Sequence, residues 1–321
     1  MRVIEVAEPG GPEVMRLATR PVPVPGEGEI LIKAVSAGVN GPDIKQRKGA
    51  YPPPPGASDL MGLEVSGTVA GVGAGVERWR EGDAVVALTN GGAYAEYVAV
   101  DAGHALPLPA AVDPVDGGGL CETFFTVWSN LFHGHDVPAG ATLLVHGGSG
   151  GIGSTAVQLG AARGLTVFAT CSAASRSFVE GLGASRAIDY RDEDFVEIVK
   201  EAGGADLILD FMGGDYVARN LKAARMDARI VSLAFDRGAK VELNLGPILM
   251  KRLTLTGSTL RPRPPAFKAA VAQGLEAEAW PLFATGTLKT VTHATYPFEE
   301  VQTAHRALEA GGHRGKILLR L

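Results

Sequence analysis

Cysteine is nearly absent from this chain of 321 residues, which contains only Cys121 and Cys171. The two cysteines lie in separate segments and lack C-x-x-C spacing, so the sequence predicts neither a disulfide framework nor a cysteine-rich metal site. Both side chains are expected to be small buried residues.

A surplus of positive charge is also absent, because 35 Asp and Glu residues outnumber 30 Lys and Arg residues, giving a formal net charge of −5. A protein that binds nucleic acid or a membrane surface needs a basic face, so neither kind of partner is expected. The chain also lacks a run of roughly eighteen uncharged apolar residues, and no membrane span is predicted. Residues 1–6 resemble a strand rather than the apolar region of a signal peptide, which favours a cytoplasmic protein.

The length and the succession of element types predict two domains in an α/β protein. Residues 1–118 contain short β-type runs broken by proline and glycine, which indicates a small barrel-like β domain. Residues 119–260 alternate strands with helices and predict a doubly wound parallel sheet of the Rossmann type. Residues 261–321 are expected to return to the first domain, because the last β-type run, 316–321, has no place in the Rossmann sheet.

The segment after residue 260 is expected to contain two helices and a strand before that final run. Residues 266–284 and 298–310 have helical patterns. Residues 287–292 are rich in β-type residues and are predicted to form the strand.

A glycine-rich turn stands where a strand gives way to a helix. Its pattern is G-x-G-x-x-G, which allows a tight turn, close approach of the backbone to a pyrophosphate, and close packing of helix on strand. A flexible glycine loop is the alternative, but the flanking strand–helix–strand order favours a dinucleotide site. The predicted pyrophosphate-binding residues are Gly148, Ser149, Gly150, Gly151, Ile152 and Gly153.

The residues after the second Rossmann strand indicate which dinucleotide is bound. An NAD site usually has an Asp or Glu about twenty residues after the turn. Here Ser172 and Arg176 follow the strand, and no acid appears before Glu180. A hydroxyl and a guanidinium suit a 2′-phosphate, so NADPH is predicted over NADH. The alternatives are a helix cap for Ser172 and an exposed first-turn residue for Arg176.

Further cofactor contacts are expected in loops that follow strands, because open α/β sheets bind ligands at the carboxyl ends of their strands. Tyr190 follows one short strand and is placed near the adenine ribose, although it could simply end that strand. The other predicted loop contacts are Phe211, Gly213, Leu233 and Phe235.

Motifs along the whole chain resemble the medium-chain dehydrogenase/reductase superfamily. Within it, the chain looks most like the zinc-free quinone oxidoreductase (zeta-crystallin-like) branch and its stress-inducible subgroup. The resemblance implies a GroES-like β-barrel domain, completed by the C-terminus, and a Rossmann domain. The motifs are 37–43 (AGVNGPD), 49–53 (GAYPP), 62–67 (GLEVSG), 82–85 (GDAV), 122–128 (ETFFTVW), 146–153 (HGGSGGIG), 181–184 (GLGA), 188–190 (IDY) and 315–317 (GKI).

The chain departs from the zinc-dependent members of that superfamily. Those proteins carry a Cys near the position of Asn40 and a Gly-His-Glu where this chain has Gly62-Leu63-Glu64. Leucine cannot ligate zinc, and two cysteines cannot build the four-Cys structural lobe of many members. No metal is therefore expected. Without a Lewis acid, hydride transfer to an acceptor that is already electrophilic is favoured.

The resemblance also implies roles for individual residues. Asn40, Tyr51 and Thr126 are expected beside the nicotinamide and the substrate, with Tyr51 stacking on the acceptor or donating to it. The alternatives are purely structural roles: Asn40 as a turn residue and Tyr51 as a residue that packs in its loop. Lys316 is implied as a cofactor contact, and the alternative for it is a solvated lysine. The substrate pocket is expected to contain Tyr51, Leu63 and Phe124, although Phe124 also fits a plain core residue.

The sequence thus predicts an NADPH-dependent quinone oxidoreductase that works without a metal. Two alternatives stay open: an enone or enoyl reductase, and an NADPH-binding protein with little turnover. The apolar run 253–258 resembles an edge strand that pairs with its copy in a second subunit, so a homodimer is expected.

Overall fold

The computed structural model describes all 321 residues and divides them into two compact units. The first unit comprises residues 1–126 and 261–321, and the second comprises residues 127–260. The strands are β1 (Arg2–Val6), β2 (Met15–Thr19), β3 (Glu29–Val39), β4 (Glu64–Val72), β5 (Ala84–Leu88), β6 (Tyr97–Asp101), β7 (Ala105–Pro107), β8 (Thr142–Val145), β9 (Thr166–Cys171), β10 (Arg186–Asp189), β11 (Ala205–Asp210), β12 (Ala224–Ser232), β13 (Thr254–Gly257), β14 (Thr292–Pro297) and β15 (Lys316–Arg320). The helices are α1 (Gly41–Arg47), α2 (Pro114–Gly117), α3 (Cys121–Leu131), α4 (Gly151–Ala162), α5 (Arg176–Gly181), α6 (Phe195–Glu201), α7 (Asp215–Ala223), α8 (Gly246–Lys251), α9 (Pro265–Glu278), α10 (Pro281–Ala284) and α11 (Val301–Ala310).

The first unit is built on a seven-stranded, mostly antiparallel sheet in the order β14-β15-β3-β4-β5-β7, with β6 also paired to β3. Strand β15 pairs antiparallel with β3, from Ile317 opposite Val39 to Arg320 opposite Ser36. Its residues 316–319 are buried, so the end of the chain contributes directly to this core. The predicted return of the C-terminus to the first domain is confirmed.

Two local features of the first unit differ from the sequence expectations. The strand predicted over 287–292 is wrong, because β14 begins at Thr292, where parallel pairing with β15 starts. Tertiary pairing, not local composition, decides where such a strand lies. Helix α1 was not expected at all, since its seven residues are too few to show periodicity. It begins after Asn40, whose backbone N–H donates to the Asp43 carboxylate at 2.9 Å.

The second unit is a six-stranded parallel sheet in the order β10-β9-β8-β11-β12-β13. The chain runs outward from β8 through β9 to β10, then crosses back to place β11 on the other side of β8. This reversal makes the carboxyl ends of β8 and β11 the topological switch point, where such sheets bind ligands. The predicted doubly wound sheet is confirmed.

Helices of this structure are all too short or too polar to cross a lipid bilayer. The two cysteines are free and buried, as the sequence predicts. Each therefore contributes to packing in its own unit.

Candidate functional site

The glycine-rich turn of the second unit follows β8 and leads into α4, at the switch point of the sheet. Gly147 has a positive φ of 67°, which favours glycine, and Gly150 caps the N-terminus of the twelve-residue helix α4. A Cβ on Gly153 would collide with the carbonyl oxygen of Gly147, and one on Gly148 would lie 2.7 Å from the Cβ of Ala169. Glycine is thus required here for close packing of turn, helix and strand.

The first turn of α4 leaves backbone N–H groups without intrahelical partners at its start. A Cβ added to Gly150 would meet only the Gly147 oxygen, at 3.8 Å. The backbone of Gly150 therefore leaves room for a ligand to approach it. Unpaired N–H groups and the positive end of the helix dipole together favour an anion. The turn, with the predicted residues 148–153, fits the pyrophosphate of a dinucleotide.

A buried hydrogen-bond chain holds this turn from behind. His146 Nε2 donates to Asn220 Oδ1 at 2.8 Å, which leaves Nδ1 to accept from the Thr170 hydroxyl at 3.2 Å. The Thr170 oxygen accepts in turn from the backbone N–H of Gly147 at 3.2 Å. Burial lowers the pKa of His146 to about 4, so the imidazole is neutral at physiological pH. His146 orients the turn, and Thr170 transmits that support from β9.

The residues predicted to select the dinucleotide lie at the carboxyl ends of two neighbouring strands. Ser172 follows β9, and its hydroxyl lies 3.4 Å from that of Ser175. Arg176 begins α5, and its buried Nε has no hydrogen-bond partner. Tyr190 follows β10 and is 43% exposed, with its backbone N–H bonded to Cys171 O. An orphaned guanidinium donor fits a phosphate oxygen.

An acid that the sequence did not reveal reaches Arg176 from another loop. The Glu193 carboxylate accepts a hydrogen bond from Arg176, and another from Arg186 at 2.9 Å. It also accepts from the backbone N–H of Asp189 at 2.7 Å, which is the main reason that the pKa of Glu193 is lowered. Two guanidinium groups therefore share this carboxylate, which anchors Arg176 in place.

The remaining predicted contacts of the second unit converge on one pair of loops. Phe211 follows β11 and accepts from the backbone N–H of Asp236, while Leu233 N–H donates back to Asp210 O at 2.8 Å. At Gly213, with φ of 63°, a Cβ would lie 2.8 Å from the ring of Phe235. The structure thus brings Phe211, Gly213, Leu233 and Phe235 together at the carboxyl edge of the sheet.

In the first unit, Asn40 lies in a buried charged cluster. Its Nδ2 donates to Glu64 Oε1 at 2.9 Å, and its Oδ1 accepts from the Lys316 ammonium. Lys316 Nζ also lies 2.7 Å from Glu64 Oε1, and the Glu64 side chain is fully buried. Lys316 thus carries its charge next to Asn40 inside the first unit, and its predicted cofactor contact remains a prediction.

A second buried network continues from this cluster through Asp43. Arginine can only donate, so Arg47 donates to His305 Nδ1 at 3.0 Å, and His305 Nε2 donates to the Tyr94 oxygen at 3.1 Å. Tyr94 then donates to Asp43 at 3.3 Å. Asp43 also accepts from the backbone N–H groups of Asn40 and Gly62, which joins the start of α1 to the loop that carries Leu63. Burial raises the pKa of Asp43 to about 6 and lowers that of His305 to about 3.

Tyr51 lies in a loop beside a buried cation. The guanidinium of Arg261 is 5.4 Å from the centre of the Tyr51 ring, and it donates to the carbonyl oxygens of Asn90 and Tyr51. Burial, followed by the negative charge of Glu122, raises the pKa of the Tyr51 hydroxyl. Tyr51 is therefore a hydrogen-bond donor throughout the physiological range.

Helix α3 carries Thr126 and Phe124 on different faces. Thr126 is 7% exposed, and a spacing of four residues puts it on the same face as Glu122. Phe124 packs in the core against Trp280 and Phe283, with ring centres 5.7 Å and 5.5 Å away. The structure gives Phe124 the surroundings of a core residue, and its predicted place in the substrate pocket rests on the resemblance alone. Leu63 is likewise 2% exposed.

No three or more His, Cys, Asp and Glu side chains are grouped so that they could hold a metal ion. The buried acids of the first unit pair instead with Lys316, backbone N–H groups and Tyr94. The sequence did not single out several polar residues that contact the predicted site residues, the glycine turn or one another: Asp43, Glu64, Glu122, Thr170, Glu193 and Arg261.

Comparisons with known proteins agree with this architecture. The alcohol dehydrogenase GroES-like domain matches residues 26–110, and the zinc-binding dehydrogenase family matches residues 182–319. Human quinone oxidoreductase is 31% identical, over 100% of this chain and 98% of its own length. The crystal structure of Escherichia coli quinone oxidoreductase complexed with NADPH has a TM-score of 0.88 and 30% identity, with 100% of both chains covered. A mycobacterial protein complexed with NADPH has a TM-score of 0.88 and 28% identity over 100% of both chains.

A GroES-like unit together with a Rossmann sheet and its glycine turn defines a medium-chain dehydrogenase/reductase. The identity of this chain to quinone oxidoreductases exceeds 30% over its full length, which identifies the family within that superfamily. The chain belongs to the quinone oxidoreductase family of that superfamily.

Proposed function

We propose that this protein is an NADPH-dependent quinone oxidoreductase that transfers hydride to a quinone without a metal ion. In this proposal the second unit holds the cofactor, and the first unit carries the residues that meet the acceptor. The observation that carries it is Arg176, whose buried, unpartnered Nε lies at the carboxyl end of the sheet that bears the glycine turn. The relatives named quinone oxidoreductase, and the one complexed with NADPH, support both the acceptor and the cofactor.

The residues of the second unit bind and select the cofactor. The backbone N–H groups at the start of α4 hold its pyrophosphate, and Arg176 and Ser172 hold the 2′-phosphate. Glu193 keeps the Arg176 side chain oriented for this contact. When bound, NADPH supplies the hydride, and the chain's own residues supply position and hydrogen bonds.

The residues of the first unit orient and polarise the acceptor. Tyr51 remains protonated, so its hydroxyl donates to the acceptor oxygen and stabilises the negative charge that develops there. Asn40 is held by Glu64 and Lys316, and Thr126 stands on α3. Leu63 occupies the position of the His that zinc-dependent members carry, which supports chemistry without a metal.

If Arg176 binds the 2′-phosphate, the protein should prefer NADPH over NADH, and replacing Arg176 should remove that preference. Arg176→Ala should raise the KM for NADPH about 10- to 100-fold, since a hydrogen bond to a charged group is worth about 1.5–3 kcal/mol. The KM for NADH should change little, because NADH has no 2′-phosphate. The measurement follows oxidation of both cofactors by the purified protein with ortho- and para-quinones.

Arg186→Ala is the matched control, because Arg186 pairs with the same Glu193 carboxylate at 2.9 Å. It should leave the preference for NADPH unchanged. A preference for NADH in the unaltered protein, or an equal loss for both cofactors in Arg176→Ala, would contradict the assignment. Turnover of enones but not quinones would favour an enone reductase, and tight NADPH binding without turnover would favour a binding protein.

We further propose that the protein is a homodimer joined through β13. This strand is at the edge of the six-stranded sheet, and all four of its residues are exposed. Nearby in the chain, Leu249 and Met250 of α8 are 79% and 73% exposed. An unpaired apolar edge strand favours pairing with another copy.

Light scattering at micromolar concentration should therefore give about twice the chain mass of 33.3 kDa. Leu255→Lys should convert the dimer to a monomer, because it places a charge within the proposed strand pair. The control is Leu17→Lys in β2, a similarly exposed leucine of the first unit. A monomeric mass for the unaltered protein would refute the proposal.

A further inference from the structure

Glu122 lies at the point where the buried cluster of the first unit reaches α3. Its backbone N–H donates to Glu64 Oε2 at 2.9 Å. The other oxygen of Glu64 binds Asn40 Nδ2 at 2.9 Å and Lys316 Nζ at 2.7 Å. The Glu64 carboxylate thus binds both the backbone of Glu122 and the side chain of Asn40.

The same glutamate shares a helix face with Thr126 and interacts electrostatically with Tyr51, the other two predicted catalytic residues. Thr126 follows it by four residues on α3, so the two side chains share one face of the helix. Burial is the main reason that the pKa of the Tyr51 hydroxyl is raised, and the negative charge of an ionised Glu122 raises it further. Glu122 is therefore linked to Asn40 through Glu64 and lies on the same helix face as Thr126, although the sequence did not single it out.

The charged groups around Glu122 leave it without an ion pair. The surrounding acids are Glu64 on β4 and Asp43 on α1, and the cations are Lys316 on β15 and Arg261 before α9. Lys316 is committed to Glu64 and Asn40, and Arg261 donates to backbone carbonyl oxygens. Burial, and then the negative charge of Glu64, raise the pKa of Glu122 to about 8. The carboxyl therefore holds a proton at neutral pH.

We propose that the Glu122 carboxyl is the proton donor that completes reduction of the acceptor. This inference rests on the proposed reductase function. Hydride brings two electrons and one proton, so a quinone gains one negative charge that a second proton must neutralise. The O–H bond of Glu122 breaks as an O–H bond forms on the acceptor oxygen. The side chain is partly exposed, so water reprotonates the carboxylate after each turnover.

The protonation of Glu122 is measured first on the protein without cofactor or acceptor. A carbon-13 NMR titration of labelled glutamate carboxyls should show one group that titrates near pH 8 and is missing from Glu122→Gln. If that variant does not fold, an infrared titration of the carboxyl stretch in the unaltered protein gives the same information. Titration of every glutamate below about pH 6 would overturn the proposal.

The second measurement is the pH profile of kcat with NADPH and the best quinone. In the unaltered protein kcat should fall as the pH rises through about 8, because the donor loses its proton. Glu122→Gln should lose this fall and lower kcat at pH 7 about a hundredfold, the usual scale of general-acid effects, with little change in KM. Glu276→Gln is the control, since it makes the same change in an exposed pair with Arg78.

The outcomes distinguish a failure of the proton-donor proposal from a failure of the proposed reductase function. Turnover with an unchanged pH profile in Glu122→Gln would overturn the donor alone and leave the reductase standing. Absence of turnover with every quinone and enone in the unaltered protein would overturn the reductase, and the donor with it. If Glu122→Gln loses the fall of kcat near pH 8, and the NMR titration shows a glutamate that titrates there, both the donor and the reductase function are supported.

Discussion

Replacement of Lys316 by methionine should lower the free energy of unfolding by about 3–5 kcal/mol, the usual cost of breaking a buried ion pair. Lys316 Nζ lies 2.7 Å from Glu64 Oε1, and the Glu64 side chain has no solvent exposure. Methionine fills a similar volume but leaves the carboxylate without its counter-charge. Urea unfolding with an unchanged m-value measures the effect.

Two further variants test this explanation. Lys48→Met removes an exposed lysine that pairs with Glu309, and should cost less than about 1 kcal/mol. The double variant Lys316→Met with Glu64→Gln should recover part of the lost stability, because no buried charge is then uncompensated. Equal costs for Lys316→Met and Lys48→Met would show that the buried pair is not the cause.

Gly153→Ala should damage both the fold and the cofactor site. The added Cβ would collide with the carbonyl oxygen of Gly147, a backbone atom that can move only if the turn opens. Overpacking of this kind costs about 1–3 kcal/mol. Because the turn also presents the N–H groups of α4, NADPH binding should weaken in the same variant. Urea unfolding of the cofactor-free protein and a fluorescence titration with NADPH measure the two effects.

Gly150→Ala is the matched control for the fold. A Cβ there meets only the Gly147 oxygen at 3.8 Å, so the cofactor-free protein should lose less than about 1 kcal/mol. NADPH binding should still weaken, because the methyl group lies where the pyrophosphate approaches the helix. Unaltered stability of Gly153→Ala would contradict the packing argument, and unaltered NADPH binding in both variants would remove the turn from the cofactor site.

The parts of the fold that the sequence predicted are those with local signals. The glycine turn, its strand and its helix occupy one short stretch, where spacing and φ requirements are visible in the residue types. The predicted strand over 287–292 failed for the opposite reason. Its position depends on pairing with β15, and β-type residues before Thr292 carry no information about that partner.

The charged cluster of the first unit could not be predicted by spacing. Asn40, Glu64, Glu122 and Lys316 are far apart in sequence. The pairing of β15 with β3 and of β3 with β4 brings Lys316, Asn40 and Glu64 together, and Glu122 reaches Glu64 from α3 through its backbone N–H. Each residue alone fits an ordinary loop, strand or helix position. The one available signal was the Glu that follows Gly62-Leu63, a charged residue at the start of an apolar strand.

The selection of the cofactor shows a similar limit. The residues that follow β9 contain Arg176 and no acid before Glu180, so they give no sign of an acid beside the guanidinium. Glu193 lies in the loop after β10, and its carboxylate accepts a hydrogen bond from the guanidinium of Arg176. Neighbouring parallel strands end at the same edge of the sheet, so a residue from the loop after β10 can contact one that follows β9.

The support behind Gly147 also decides how this motif could be moved into another protein. The turn is held by Thr170, whose hydroxyl is fixed by His146 and, through it, by Asn220. A graft of residues 147–153 onto a foreign strand and helix would carry the glycines but not the side chains that set their backbone. The smallest transplantable piece is therefore a discontinuous one, drawn from β8, α4, β9 and α7.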